Sequence, residues 1–357
     1  MVNDLPPGPG SGVEVHIGRL VAALSSAGHT VEVFAGERLH RGAAKVLDVW
    51  DPVAARRLGA RVGAFRPDVV HFHNVLHELS PSVLPAARPA AAVLTVHDHR
   101  LLGRLRGTEA IRPWAPVPVA KRLKAVFDRQ MVERHVDVVV AVSAALGMAL
   151  RGKGFTRVQV VDNFAEVPGE VAPIGDHIVA AGRLSLEKGI DVLLRAWSSV
   201  LGDHPGAQLR IAGTGPAEEE LRRLADRVAP GRVEFMGLLD EDEMRELLTT
   251  ARLVAVPSTG LEGAPLIVLE ALVAGVPVAG TPLALGDLVD DEVGRVVGPG
   301  DVGALGRVLR ELLDDRRLAV ALGAAARRRG IERFSPDAAV RALGEVYERA
   351  IERSAAA

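Results

Sequence analysis

The segment 258–277 reads STGLEGAPLIVLEALVAGVP and carries two carboxylates eight residues apart, Glu262 and Glu270. Gly263, Ala264 and Pro265 lead into an apolar run, Leu266 to Ala274, that is expected to be helical. Glu262 then stands just before a helix amino terminus. Unpaired N–H groups and the positive dipole end favour an anion there, so a phosphate or a polarised sugar oxygen could sit beside the carboxylate. Glu270 lies about a turn inside, and a charge on so apolar a helix needs a partner, either protein or ligand hydroxyls. Spacing alone leaves it equally open that Glu262 is simply a capping acid and Glu270 a buried ion-pair member.

Basic residues supply a second element. Arg183 and Lys188, five residues apart in AGRLSLEKG, follow a strand pattern. Arg can fork two phosphate oxygens while Lys supplies a point charge, so an Arg and a Lys five apart after a strand are a plausible phosphate clamp, although such pairs are also common on surfaces. At the amino end, PPGPGSGVE (6–14) is a glycine-rich turn that runs into a helix, where backbone N–H groups can approach an anion or simply face solvent. His71, His73 and His77 follow one strand pattern, and His97 and His99 end another. Alternate strand residues share a face, so His71, His73, His97 and His99 could converge on a metal, giving a metallohydrolase alternative. Asp240, Glu241 and Asp242 form a D-x-D string before MRELL, which reads as helix capping.

Short β-branched runs alternating with amphipathic stretches position these residues, the pattern of a parallel sheet covered by helices. Strands are expected at Thr30–Ala35, Asp68–His73, Ala92–His97, Asp137–Val142 and Arg157–Val161, with a helix over Val13–Ala27. After a turn-rich stretch, Phe164–Gly175, the alternation restarts at Ile178–Ala181, Gln208–Ala212, Val233–Met236, Leu253–Val256 and Val276–Ala279. Helices from Ala304 to Arg353, interrupted near Asp315 and Ser335, close the chain. Two doubly wound domains are therefore expected to face each other and to bind ligand at their strands' carboxyl ends, across a cleft.

Composition narrows the function further. The 357 residues are 48% apolar and 25% charged, which excludes general disorder and fits two domains. Aromatics make up 3%, against a stacking platform for single-stranded nucleic acid, and the net charge of −2 is not that of a polyanion binder. The absence of cysteine removes disulfides, thiolate zinc sites and thiol catalysis. Residues 99–135 hold nine Lys or Arg against three acids, a local concentration able to meet an anionic surface. The longest apolar run, Val138–Leu150, is too short to span a bilayer, and no signal peptide is visible, so the chain reads as cytoplasmic.

The Glu262–Glu270 segment, followed by AGVPV, resembles the E-x7-E element of the retaining glycosyltransferases of family 4 (group 1), which have the GT-B fold. AGRLSLEKG is similar to that family's G-R-x-x-x-x-K-G element, GTGP (213–216) and EFMG (234–237) resemble its nucleotide-framing turns, LTVHD (94–98) its T-x-H-D strand end, and VVHFHN (69–74) a strand lining the cleft. The glycine-rich turn resembles its Gly-Gly loop with Ser11 in place of the first glycine before Gly12. The resemblance implies an amino-terminal acceptor domain over 1–168, a nucleotide-sugar domain over 169–334, and a final helix, 335–357, crossing back to the first. It places Gly12, Arg183 and Lys188 on the donor diphosphate. Glu262, Gly263, Ala264, Pro265, Leu266, Glu270, Gly213 and Met236 fall around the sugar and nucleotide, with His97 and Glu262 at the reaction centre and His77 and His99 as ordinary histidines. The implied reaction moves a sugar from a nucleotide-diphosphate sugar, a substrate, to an acceptor hydroxyl without cofactor or metal, by front-face substitution. The acceptor would be a glycan, lipid-linked or small-molecule compound in cell-envelope polysaccharide, glycolipid or related synthesis, with no nucleic acid as partner and peripheral membrane contact through 99–135. A non-catalytic nucleotide-sugar-binding protein and a non-hydrolysing sugar-nucleotide epimerase share this outline. Chains of the family open on a full hydrophobic strand. Here Met1 and Val2 stand directly before an Asn-Asp-Leu-Pro-Pro turn, so the expectation is either a stub strand or an earlier native start.

Overall fold

The computed structural model describes residues 1–4, 12–36, 51–75, 79–102, 119–169 and 174–356. The glycine-rich turn before Gly12, His77 and residues 103–118 of the basic stretch lie outside the described residues, as do the side chains of His99, Arg100, Lys121 and Arg122. Two compact units are present, Met1–Asp162 with Ala339–Ala357, and Asn163–Ala338.

Each unit is built on a six-stranded parallel sheet. In the first, β1 (Val2–Asn3), β2 (Phe34–Ala35), β3 (Val69–His73), β4 (Ala91–Val96), β5 (Val138–Ala141) and β6 (Val158–Val160) lie in the order β2-β1-β3-β4-β5-β6. In the second, β7 (His177–Ala181), β8 (Gln208–Ala212), β9 (Val233–Gly237), β10 (Leu253–Val256), β11 (Val278–Gly280) and β12 (Gly294–Val296) lie in the order β12-β11-β10-β7-β8-β9. Strand order therefore reverses between β1 and β3 in one sheet and between β7 and β10 in the other. Such switch points leave a crevice at the strands' carboxyl ends, where ligands of doubly wound folds bind.

The strand expected at Thr30–Ala35 shrinks to two residues because its partner is equally short: Val2 pairs with Phe34 and Asn3 with Ala35. The chain's first residue extends this pairing, since its ammonium donates to the Glu32 carbonyl at 2.7 Å and its carbonyl accepts Phe34 N–H at 2.8 Å. The sequence reading missed β12, a three-residue edge strand paired with β11. Ser143 divides the long apolar run into β5 and the helix Ala144–Gly152, its hydroxyl accepting the Leu146 N–H. Among the described residues no helix is long and apolar enough to cross a membrane.

Both faces of the second sheet are covered, as a parallel sheet requires. Along β7, Ile178 and Ala180 join one core with Trp197, Leu209 and Leu309, while Val179 faces a second core with Val254, Leu269 and Phe334. The closing helices Val302–Asp314, Arg316–Phe334 and Pro336–Ala356 break at Asp315, which caps Leu318 N–H, and at Ser335. Contacts of Tyr347 with His71 and of Ser354 with Arg88 tie the last helix to the first unit.

Candidate active site

In the second unit the loops following β7 and β10 are stitched together at the switch point. Gly189 has φ 66°, and a Cβ there would stand 2.1 Å from the Pro257 carbonyl oxygen, so only glycine allows this approach. The Glu187 carbonyl accepts N–H groups of Thr259 at 2.9 Å and Gly260 at 3.0 Å. Lys188 is thereby carried to Glu262, and the two form an ion pair. Ser258, fully buried, donates its hydroxyl to the other oxygen of Glu262, while its carbonyl accepts Thr281 Oγ1–H at 2.6 Å. Both carboxylate oxygens of Glu262 are thus held, one by a cation and one by a neutral donor.

A pocket opens among Gly182, Arg183, Lys188, Ser258, Glu262 and Pro265. Arg183 is exposed at its edge. The helix Leu266–Ala274 begins after Pro265, with Gly263, Ala264, Pro265 and Leu266 half-buried ahead of its apolar body. Glu270 is half-buried on that helix, whereas its neighbours Leu269 and Ala271 are fully buried. On the other side of β7, Gly213 has φ 121° and donates its N–H to the Gly237 carbonyl at 2.6 Å, next to half-buried Met236. Asp240 closes a capping box with Glu243 at the start of Glu241–Thr249, so the acidic string 240–242 serves that helix.

In the first unit, His97 follows β4 and sits in a buried group of four imidazoles. Alternate residues His71 and His73 share one face of β3, and the register pairs His73 with Thr95, so His97 falls diagonally across from His73. His73 Nδ1 lies 3.0 Å from His97 Nε2, with the rings stacked at 5.3 Å. His71 packs against His73 at 4.2 Å and contacts Thr95 Oγ1 at 2.7 Å and Tyr347 OH at 2.8 Å. His16, from the helix Gly12–Ser26, meets the His97 ring edge-on at 5.3 Å. Burial depresses all four; His97 falls to about 3 and the others well below the usual imidazole value, with neighbouring rings adding to the effect. His71, His73 and His97, three of the four histidines of the metallohydrolase alternative, meet as stacked, hydrogen-bonded rings, and among the described residues no group of three or more His, Asp or Glu could hold a metal; the side chain of the fourth, His99, lies outside the described residues. Gly12 is exposed at the start of its helix, in the same unit as His97. The sequence reading overlooked Ser258, His16 and Tyr347; the only usable signals were a Ser four residues before Glu262 and the lone Tyr of the chain.

Residues 10–167 match the family described as Glycosyltransferase Family 4, and residues 175–315 match Glycosyl transferases group 1. The GDP-mannose-dependent alpha-(1-6)-phosphatidylinositol monomannoside mannosyltransferase of Mycobacterium tuberculosis is 30% identical, over 92% of this chain and 91% of its own. The chain belongs to glycosyltransferase family 4 (group 1). The glycogen synthase of the same organism is 27% identical to this glycosyltransferase, over 96% of the chain and 92% of its own. Among solved structures, sucrose-phosphate synthase from Thermosynechococcus elongatus superimposes with a TM-score of 0.75 at 19% identity, each chain covered to 98%. Anabaena HepE in complex with UDP-glucose gives 0.72 at 17%, over 97% of this chain and 98% of its own. The glycosyltransferase thus has the GT-B fold, two doubly wound α/β units.

Proposed function

We propose that this enzyme is a retaining, metal-independent glycosyltransferase whose second unit holds a nucleotide-diphosphate sugar and whose first unit binds the acceptor. The observation that carries the proposal is the meeting of Arg183, Lys188 and Glu262 in one pocket at the switch point of the second sheet. Two cations offer a leaving diphosphate fixed positive charge, and a firmly held carboxylate offers sugar hydroxyls an acceptor. The donor class is supported by the relatives: the mycobacterial enzyme is GDP-mannose-dependent by name, and HepE has been seen with UDP-glucose.

In this reading the acceptor oxygen bonds to the anomeric carbon on the face from which the diphosphate departs. The bond from that carbon to the phosphate oxygen breaks, and the acceptor proton passes to the leaving phosphate. Arg183 and Lys188 take up the charge that develops, with exposed Gly12 at the diphosphate. Glu262 and the turn Gly263–Leu266 hold the sugar, His97 lies at the reaction centre, and Glu270, Gly213 and Met236 frame the nucleoside. Glycan or glycolipid synthesis is the role supported by the relatives, one named a glycogen synthase and one a phosphatidylinositol monomannoside mannosyltransferase. Exposed Arg129 and Arg134 on the helix Val119–His135 support a peripheral contact with an anionic bilayer.

A screen of nucleotide sugars by nucleotide release, in EDTA, followed by NMR of the product's anomeric centre tests the reading. Release with retention of configuration is expected. Inversion, or a strict requirement for divalent metal, would overturn it.

A further inference from the structure

His73 is wholly buried, and while its Nδ1 meets His97 Nε2, its own Nε2 has no hydrogen-bond partner among the described residues. Burial keeps both rings neutral, so each carries one proton. Two arrangements satisfy the shared contact. In one, His97 donates from Nε2, and the single proton of His73 is driven to its own Nε2, a buried donor with no acceptor among the described residues. In the other, His73 donates from Nδ1 and only a bare lone pair is left at its Nε2. Orphaned buried N–H groups are rarer in proteins than under-used acceptors, and the same desolvation argument applies to a ring nitrogen. The second arrangement therefore holds, and His97, accepting at Nε2, carries its proton on Nδ1.

We propose that His73 is a positioning residue: by donating Nδ1–H to His97 Nε2 it fixes His97 as the Nδ1–H tautomer, which meets the substrate as a hydrogen-bond donor to a sugar oxygen and not as a general base. A base would need its lone pair toward the substrate, and that lone pair is engaged by His73. The surrounding rings hold this pair in register. His71 packs on His73, His16 abuts His97, and the hydroxyls of Thr95 and Tyr347, which can either donate or accept, anchor His71. The order of elements explains why two histidines meet here, since β3 lies at the switch point of the first sheet and β4 beside it. The inference rests on the assignment of His97 to the reaction centre, and its test separates the two.

The full chain labelled with 15N-histidine reports the tautomers directly through long-range proton–nitrogen correlations. His97 and His73 are both expected as Nδ1–H, and a His97 protonated at Nε2 overturns the proposal. In kinetics, His73→Leu removes the donor and is expected to lower kcat about 10- to 100-fold, the scale of a lost orienting partner, with the donor KM within about twofold. His73→Asn places an amide nitrogen where Nδ1 stood and is expected to restore kcat to within about threefold of the parent. Wild-type kcat in a folded His73→Leu enzyme overturns the proposal, as does an equal loss in the Leu and Asn variants; should the Leu variant not fold, the tautomers and the Asn variant decide. His97→Ala separates the layers: lost transfer there with none lost in His73→Leu removes the positioning role alone, whereas full transfer in His97→Ala removes the site assignment beneath it.

Discussion

Lys188 and Glu262, 74 residues apart in the chain, are joined as an ion pair by two loops that leave neighbouring strands of one sheet. Glu262 is the more enclosed of the two, at 13% side-chain exposure against 28% for Lys188, so the pair is half sheltered from solvent screening. If Lys188 serves the diphosphate and Glu262 the sugar, each single substitution should cost at least about 100-fold in kcat/KM, the scale of a lost charge-stabilising contact. The double variant should lose less than the two single effects summed, because the residues are in contact and each single loss also disturbs the pair. Nucleotide-release kinetics on Lys188→Ala, Glu262→Ala and the pair, each checked by circular dichroism, measure this. Activity near wild type in any folded variant would remove the assignment.

Ser258 makes a narrower prediction. Its hydroxyl holds the Glu262 oxygen that Lys188 does not, and it is fully buried with its carbonyl bonded to Thr281. Ser258→Ala removes one hydrogen bond to a charged group, worth about 1.5–3 kcal/mol, and so kcat/KM should fall about 10- to 100-fold. The fold should survive, because the backbone bond to Thr281 remains. An unchanged kcat/KM would mean that Lys188 alone orients the carboxylate.

The close approach of the loops can be tested through glycine. At Gly213, φ is 121° and a Cβ would stand 2.0 Å from the Gly182 carbonyl oxygen. Gly213→Ala should cost about 2–4 kcal/mol, a fall of about 5–15 °C in Tm. Gly202, where a Cβ meets nothing within 4 Å and φ is not positive, supplies the control, and Gly202→Ala should move Tm by little more than a degree. Calorimetry on both variants decides whether the backbone contact or glycine removal in general is responsible.

Much of the architecture was legible in the sequence because it is written locally. The apolar run Leu266–Ala274 and the acidic cap at Asp240 are short-range patterns, and the structure places a helix or helix start at each. Pairing depends on distant partners, which is why Thr30–Ala35 was read too long and Gly294–Val296 not at all. The histidines show the same division. Alternation put His71 and His73 on one face, but whether four imidazoles bind a metal or stack as neutral rings depends on approach vectors from β3, β4 and the helix Gly12–Ser26. Ser258 gave no signal of its own, since its role exists only once Glu262 has folded back onto it.

The neutral imidazoles also set the acid response of the protein. His16, His71, His73 and His97 have folded-state values below the 6.5 of a free imidazole, His97 at about 3, with burial the leading cause in each. Below pH 6.5 the unfolded chain binds protons that the folded chain refuses, so stability rises with pH through this window and is lost as pH falls. Each histidine that stays neutral contributes roughly a kcal/mol per pH unit, and carboxylates titrate lower, near 4. Arg19 acts on His16 in the same direction, and the Tyr347 hydroxyl on His71 stays protonated throughout. Urea unfolding should therefore show a midpoint that drops steadily from pH 6.5 to 5, with a shallower slope in His71→Asn, which leaves one fewer imidazole to refuse a proton. A midpoint that is flat or rises over that interval would mean that these rings are protonated in the folded protein.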